Sequence, residues 1–152
     1  MLLMWQQNKY MNRAFVAANN ALKIDEVPVG AVIVRDKKII VSCHNRVRSS
    51  SDPTAHAEIL CIRQTAAILG STHLGECDIY VTLEPCAMCA QAIAWAKIKR
   101  IYFSAYDDKF GAVTSNTAIF HDISANHKPE IYGGIREFKS AQILKKFFQS
   151  KR

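Results

Sequence analysis

Two cysteines three positions apart follow a proline in Leu83-Glu84-Pro85-Cys86-Ala87-Met88-Cys89. Upstream, Thr54-Ala55-His56-Ala57-Glu58 carries a histidine and, two positions on, a glutamate. Two thiols and an imidazole are zinc ligands, and a carboxylate is left over. Three protein ligands leave the fourth position of a tetrahedral zinc for water, whose pKa falls from about 15.7 to near 7 on binding. Glu58 is suited to take that water's proton and return protons to a substrate. The chemistry is hydrolysis at an electrophilic carbon.

These residues must be brought to one point by helix starts. Pro85 opens a helix running to about Lys97, so Cys86 and Cys89 share a face of its first turn. There the free backbone N–H groups and the helix dipole favour thiolates. Asp52-Pro53-Thr54 predicts another helix start, with Asp52 or Thr54 as cap and Pro53 in the first turn. His56 and Glu58, two positions apart at about 100° per residue, point nearly opposite ways on a regular helix. They serve one centre only if it lies off the helix N-terminus. A closed structural zinc site would need a fourth Cys or His. Cys61 lies one turn deeper than His56 and is poorly placed; Cys43, Cys77 and His44 stay open, without metal-type spacing.

The remaining elements read as a frame. Met4 to Leu22 has the three-and-four apolar spacing of an amphipathic helix, through Tyr10, Met11, Ala14, Phe15, Ala18 and Leu22. Val29 to Val34 and Ile39 to Val41 form a hairpin across Arg35-Asp36-Lys37-Lys38, its unbroken apolar first arm predicting a strand covered on both faces. The His44–Pro53 loop, with Asn45, Arg46 and Arg48, sits between a core strand and a ligand. Asp78 to Leu83 and Arg100 to Ser104 read as strands, with Glu130 to Tyr132 as a short extended piece after a loop-rich stretch. Gly70 ends the His56 helix, Trp95 is expected inside the next one, and a last helix runs from Glu137. The expected fold is α/β, a three-layer α/β/α sandwich with a mixed central sheet flanked by helices.

At 152 residues, 49% apolar and 22% charged, the chain is expected to form a single domain over 1–152 with a substantial core. Its net charge of +7 suits a polyanionic partner. Met1 to Lys9 lacks the pattern of a signal peptide, and no apolar run is long enough to cross a bilayer. Five cysteines without a disulfide framework favour a reduced, cytoplasmic protein with a metal site.

His56-Ala57-Glu58 with Pro85-Cys86-Ala87-Met88-Cys89 matches the H-x-E…P-C-x-x-C signature of zinc nucleoside and nucleobase deaminases. More closely, the chain resembles the bacterial tRNA-specific adenosine deaminases over nearly its full length. The similarity includes Glu26 to Val32, Asn45-Arg46, Asp52 to Ile59, Thr82 to Ala90, Asp107 to Ala112, Asn126-His127 and Phe147-Phe148. The resemblance implies a cytidine-deaminase-like fold and conversion of the wobble adenosine of a tRNA anticodon to inosine. It implies zinc held by His56, Cys86 and Cys89, with Glu58 as proton shuttle. Asn45 would bond the inserted base, Val29 would wall its pocket, and Asp107 and Lys109 would touch the anticodon stem-loop. A homodimer is also implied. Departures from the family pattern fall at Gln91, Trp95, Ser104 and Tyr106, none of them a ligand or the acid/base.

Two other readings compete. One is a deaminase of a free base or nucleoside such as guanine or cytidine, against which Asn45, the Asp107–Ala112 loop and the positive charge all speak. The other is a catalytically silent zinc subunit that binds RNA, which would be expected to lack Glu58.

Overall fold

Asp36 and Lys37 both adopt left-handed φ angles, 50° and 63°. Two such residues in succession make the turn whose twist matches a β-hairpin. They join β1 (Gly30–Arg35) to β2 (Lys38–His44), with Ile33 opposite Val41 and a bulge between Ile33 and Val34. The computed structural model describes residues 2–152, apart from the side chains at positions 2, 3, 6 and 7; Met1 of the N-terminal segment read above lies outside them.

Before the hairpin comes α1 (Leu2–Lys23); after it come α2 (Ala57–Leu69), β3 (Cys77–Leu83), α3 (Ala87–Trp95) and β4 (Arg100–Ala105). A single 3-10 turn (Ile119–His121), β5 (Glu130–Tyr132) and α4 (Glu137–Gln149) complete the order. The sheet runs β2-β1-β3-β4-β5. β1 is antiparallel to both neighbours, whereas β3, β4 and β5 are mutually parallel, with Ile79 beside Ile101 and Tyr80 beside Tyr102. The sheet is mixed, as expected.

Alternation along each strand divides the core into two layers. Ala31, Ile33, Ile79, Val81, Ile101 and Phe103 face α2 and α3, meeting Ala57, Cys61, Ala90 and Ile93. Val32, Val34, Tyr80 and Tyr102 face the other way, onto Tyr10, Met11, Ala14 and Phe15 of α1. At Gly30 the α1 backbone comes so close that a side chain would overlap the Ala14 carbonyl oxygen and lie 2.5 Å from the Ala18 nitrogen. The apolar arm read as covered on both faces is so covered.

Two expectations are corrected. Trp95 is not an inside residue: it is 69% exposed at the end of α3. Ile93 and Ala94 take the inward positions, and the next step of about 100° turns Trp95 to the surface. The His56 helix also starts later than its cap residues suggested. Asp52 accepts the Thr54 backbone N–H at 2.8 Å and the Thr54 hydroxyl at 2.7 Å, closing a turn ahead of the helix. Asp52 and Thr54 are thus spent on each other, and His56 becomes the N-cap. Gly70 ends α2 at φ 61°, as read.

Candidate metal centre and active site

His56 caps α2 with an extended backbone (φ −71°, ψ 152°), and Cys86 caps α3 in the same way (φ −72°, ψ 175°). Neither side chain bonds back to its own helix, so both point forward to a common point. Cys89 joins them from one turn inside α3. The extended cap at His56 resolves the helix-phase conflict: the histidine is not yet helical when Glu58, two residues on, already is.

His56 Nδ1 lies 3.7 Å from the Cys86 sulfur and 3.5 Å from the Cys89 sulfur. All three ligand atoms fall within 4.8 Å of one another, and this is the group of metal-holding geometry among the described residues. Tetrahedral zinc, with metal–sulfur about 2.3 Å and metal–nitrogen about 2.0 Å, sets sulfur and nitrogen about 3.5 Å apart. The donor set and its spacing fit zinc. Cys61 is no fourth ligand, because its thiol donates to the Ala31 carbonyl at 3.3 Å on the sheet side. Cys43, Cys77 and His44 also lie outside the group.

The ligands are electrostatically prepared. The Cys86 thiol is pushed down to about 4, first by the hydrogen of Cys89 and then by His56, against the opposing effect of its own burial. Cys89 moves up because it gives that hydrogen and is buried. His56 moves up through its bond to Cys86. A cation at their centre would favour the deprotonated form of all three.

Glu58 is 4% exposed, and its carboxyl sits above the ordinary value because burial disfavours the charge. A buried carboxyl so shifted is suited to accept and return protons. It is not one of the clustered ligand atoms.

A cavity of about 1120 Å³ opens over this point. Val29, Asn45, His56, Glu58, Cys86, Asp107 and Lys109 all line it, and Cys89 lies buried beneath. The structure thus gathers every site residue read from the sequence. It also adds residues that reading missed. Glu26, 1% exposed, accepts Asn45 Nδ2 at 3.3 Å and the Ser49 backbone N–H at 2.6 Å. Glu84 is buried under the Asp107 loop; burial works against its charge, but the Ser115 hydroxyl and the loop N–H groups outweigh it and hold its carboxyl below the ordinary value. Phe110, 63% exposed, Phe148 and Arg48 stand at the cavity wall. The available signal was an acidic residue beside a buried strand: Glu26 before β1, Glu84 directly after β3.

Residues 4–105 match the family described as the cytidine and deoxycytidylate deaminase zinc-binding region. A tRNA-specific adenosine deaminase of Agrobacterium fabrum is 46% identical over 149 residues, 98% of each chain. The chain belongs to this deaminase family, on its tRNA-specific adenosine deaminase branch. A solved tRNA:A34 deaminase, studied for A-to-I editing at the wobble position of transfer RNA, superposes with a TM-score of 0.88. It is 47% identical, and the match covers 90% of this chain and 99% of that one. Guanine deaminase of Bacillus subtilis is more distant, at 35% identity and TM-score 0.63 over 77% of this chain and 76% of that one.

The deaminase is a zinc-dependent hydrolase. Its departures from the family pattern lie around the centre rather than in it. The Ser104 hydroxyl donates to the Arg136 carbonyl at 3.0 Å, Gln91 donates to Asn126 at 3.2 Å, and Tyr106 packs edge-on against Phe103. No helix among the described residues is long and apolar enough to cross a membrane.

Proposed function

We propose that this deaminase converts the wobble adenosine of a tRNA anticodon to inosine. His56, Cys86 and Cys89 hold the zinc, and Glu58 moves the protons. The observation that carries the reading is the extent of the cleft. One cavity runs from Glu58 past Asn45 to Asp107, Lys109 and Phe110, and its volume of about 1120 Å³ exceeds the roughly 300–1,000 Å³ of small-molecule pockets. A free base would leave the Lys109 and Phe110 end unfilled. An oligonucleotide with one base inserted would not.

Zinc held by these residues supplies an activated water at C6 of the base. The protein's side chains do the rest. Asn45 bonds the base edge, and Val29 packs beside its plane. Glu58 takes a first proton from the water and passes it to ring N1, then takes the proton of the hydroxyl now on C6 and gives it to the amino group, which leaves as ammonia. Adenosine and water become inosine and ammonia.

The rim fits RNA. Exposed Phe110 and Phe148 offer faces on which unstacked anticodon bases can lie, and Arg48, Lys109 and Arg152 offer charge to phosphates. An anticodon loop makes extrusion of the target base inexpensive. The net charge of +7 then makes affinity fall with added salt. The same reading takes residues 1–152 as one catalytic domain, acting as a homodimer in the cytoplasm where its tRNA is found.

Incubation with total tRNA, followed by sequencing for adenosine read as guanosine, tests the proposal. Inosine at the first anticodon position is expected. Turnover of free guanine or cytidine with an untouched anticodon stem-loop would overturn it.

A further inference from the structure

Glu84 is 2% exposed, yet its carboxylate collects five donors from a single loop. Oε1 accepts the Asp107 backbone N–H at 3.2 Å and the Ser115 hydroxyl at 2.7 Å. Oε2 accepts the backbone N–H groups of Val113 at 3.1 Å, Thr114 at 2.9 Å and Ser115 at 2.9 Å. Three successive amides aimed at one oxygen form the kind of concave nest that elsewhere receives an external anion. Here the chain fills it with its own side chain.

The backbone on either side of this carboxylate is tied to the same loop. The Glu84 N–H donates to the Ala105 carbonyl at 2.8 Å, at the end of β4. The Ala112 N–H donates to the Pro85 carbonyl at 2.9 Å, and Cys86 pairs with Gly111 in an isolated antiparallel bridge. Gly111 has no room for a side chain: a Cβ would lie 2.5 Å from both the Asp107 carbonyl oxygen and the Glu84 carboxyl carbon. The loop therefore wraps the carboxylate directly. Its outer limb carries Asp107, Lys109 and Phe110 into the cleft wall.

We infer that Glu84 is a positioning residue that fixes the Asp107–Ser115 loop, and with it the RNA-facing wall of the cleft, relative to the metal-ligating start of α3. The role deepens the tRNA reading and rests on it for the substrate. Glu84 is buried with both carboxylate oxygens occupied by the loop, so it acts through the loop. Its contribution is to the fit of the polynucleotide, so it belongs in KM rather than in the chemical step.

The test compares Glu84→Gln and Ser115→Ala with the wild-type zinc protein on an anticodon stem-loop. Glu84→Gln keeps the shape of the side chain but turns one of its two acceptor ends into a donor facing N–H groups. It should raise KM by roughly tenfold or more while kcat at saturation and zinc content stay within about threefold. Ser115→Ala removes one donor only and should move KM the same way by a smaller factor. Adding Lys109→Ala should cost less in the Glu84→Gln background than in the wild type, because the loop is already displaced. Hydrogen exchange at Val113, Thr114 and Ser115 should rise in Glu84→Gln while β3 and β4 stay protected.

Unchanged KM, fully additive Lys109 and Glu84 effects, or unaltered exchange at the three amides would each overturn the inference. So would loss of zinc and kcat with KM intact, which would make Glu84 a support of the metal site alone. If Glu84→Gln does not fold, an unchanged KM in Ser115→Ala overturns it. If wild-type protein leaves the stem-loop untouched, the tRNA reading fails, and the exchange measurement still decides whether Glu84 fixes the loop.

Discussion

Asn45 donates from Nδ2 to Glu26 Oε2 across 3.3 Å inside the cleft, and this bond decides which way the amide faces. Both Glu26 oxygens are taken up as acceptors, so the NH2 end of Asn45 points at Glu26 and Oδ1 faces away from it, toward the cavity where a substrate would bind. Ser49 holds the other carboxylate oxygen at 2.6 Å.

Glu26→Gln should reverse the amide. The new carboxamide must keep its oxygen toward the Ser49 N–H, which turns its NH2 end to Asn45 and forces Asn45 to present Oδ1 inward. Mispairing a buried polar group costs about 1–3 kcal/mol and predicts a fall in kcat/KM of about 5–100-fold on an anticodon stem-loop. Asn45→Ala in the same background should add little, and additive losses would show that the two residues act separately.

Glu58→Ala should retain zinc and RNA binding while inosine formation drops by about 10²–10⁴-fold, the usual worth of a positioned acid/base. Metal analysis and filter binding check the first half, and single-turnover kinetics the second. Retained activity would remove Glu58 from the proton path.

Metal removal should loosen two helix starts together. His56 and Cys86 are N-caps without side-chain cap bonds, because their side chains are turned to the metal position. At about 1 kcal/mol per cap, chelation should lower Tm by at least about 4–8 °C, reversed by zinc. Cys86→Ser should lose the metal and show no further response to chelator. A fully loaded Cys86→Ser protein would show that this thiol is not a ligand.

Asp78 gives a pH signature remote from the centre. Burial raises its carboxyl above 3.8 even though Arg100 sits 3.3 Å away. Between 3.8 and that raised value the folded state binds more protons than the unfolded state, so stability falls as pH rises through this window. The penalty is absent below it and complete above. Asp78→Asn should therefore gain on the wild type between about pH 4 and pH 7 in urea midpoints. A gap that stays constant across that range would place the cost of Asp78 elsewhere.

What could be read from the sequence was what local pattern controls. Val29 to Val34 announces a doubly covered strand through its own residues, and Pro85-Cys86-x-x-Cys89 announces a helix start with ligands. The cap of α2 was misplaced because Asp52 has two local uses, capping a helix or closing a turn with Thr54, and the residues alone do not rank them. Trp95 was misplaced because one step of helix phase separates inside from outside. Glu26 and Glu84 were legible only as acidic residues beside buried strands, without a role. Their partners lie 19 to 31 residues away, and only the folded chain brings those donors to them.

Gly30 gives the cleft a fixed gauge. Its missing side chain lets α1 rest on β1, and the adjacent Val29 accepts the Asn45 N–H at 3.0 Å on the way into the cavity. The wall that would meet the base is thus backed by a helix on the opposite side of the sheet. Anything that lifts α1 at Ala14 or Ala18 has no slack to absorb it before Val29 moves. Mutations on the far surface of the protein should accordingly be felt as altered substrate fit, not only as lost stability.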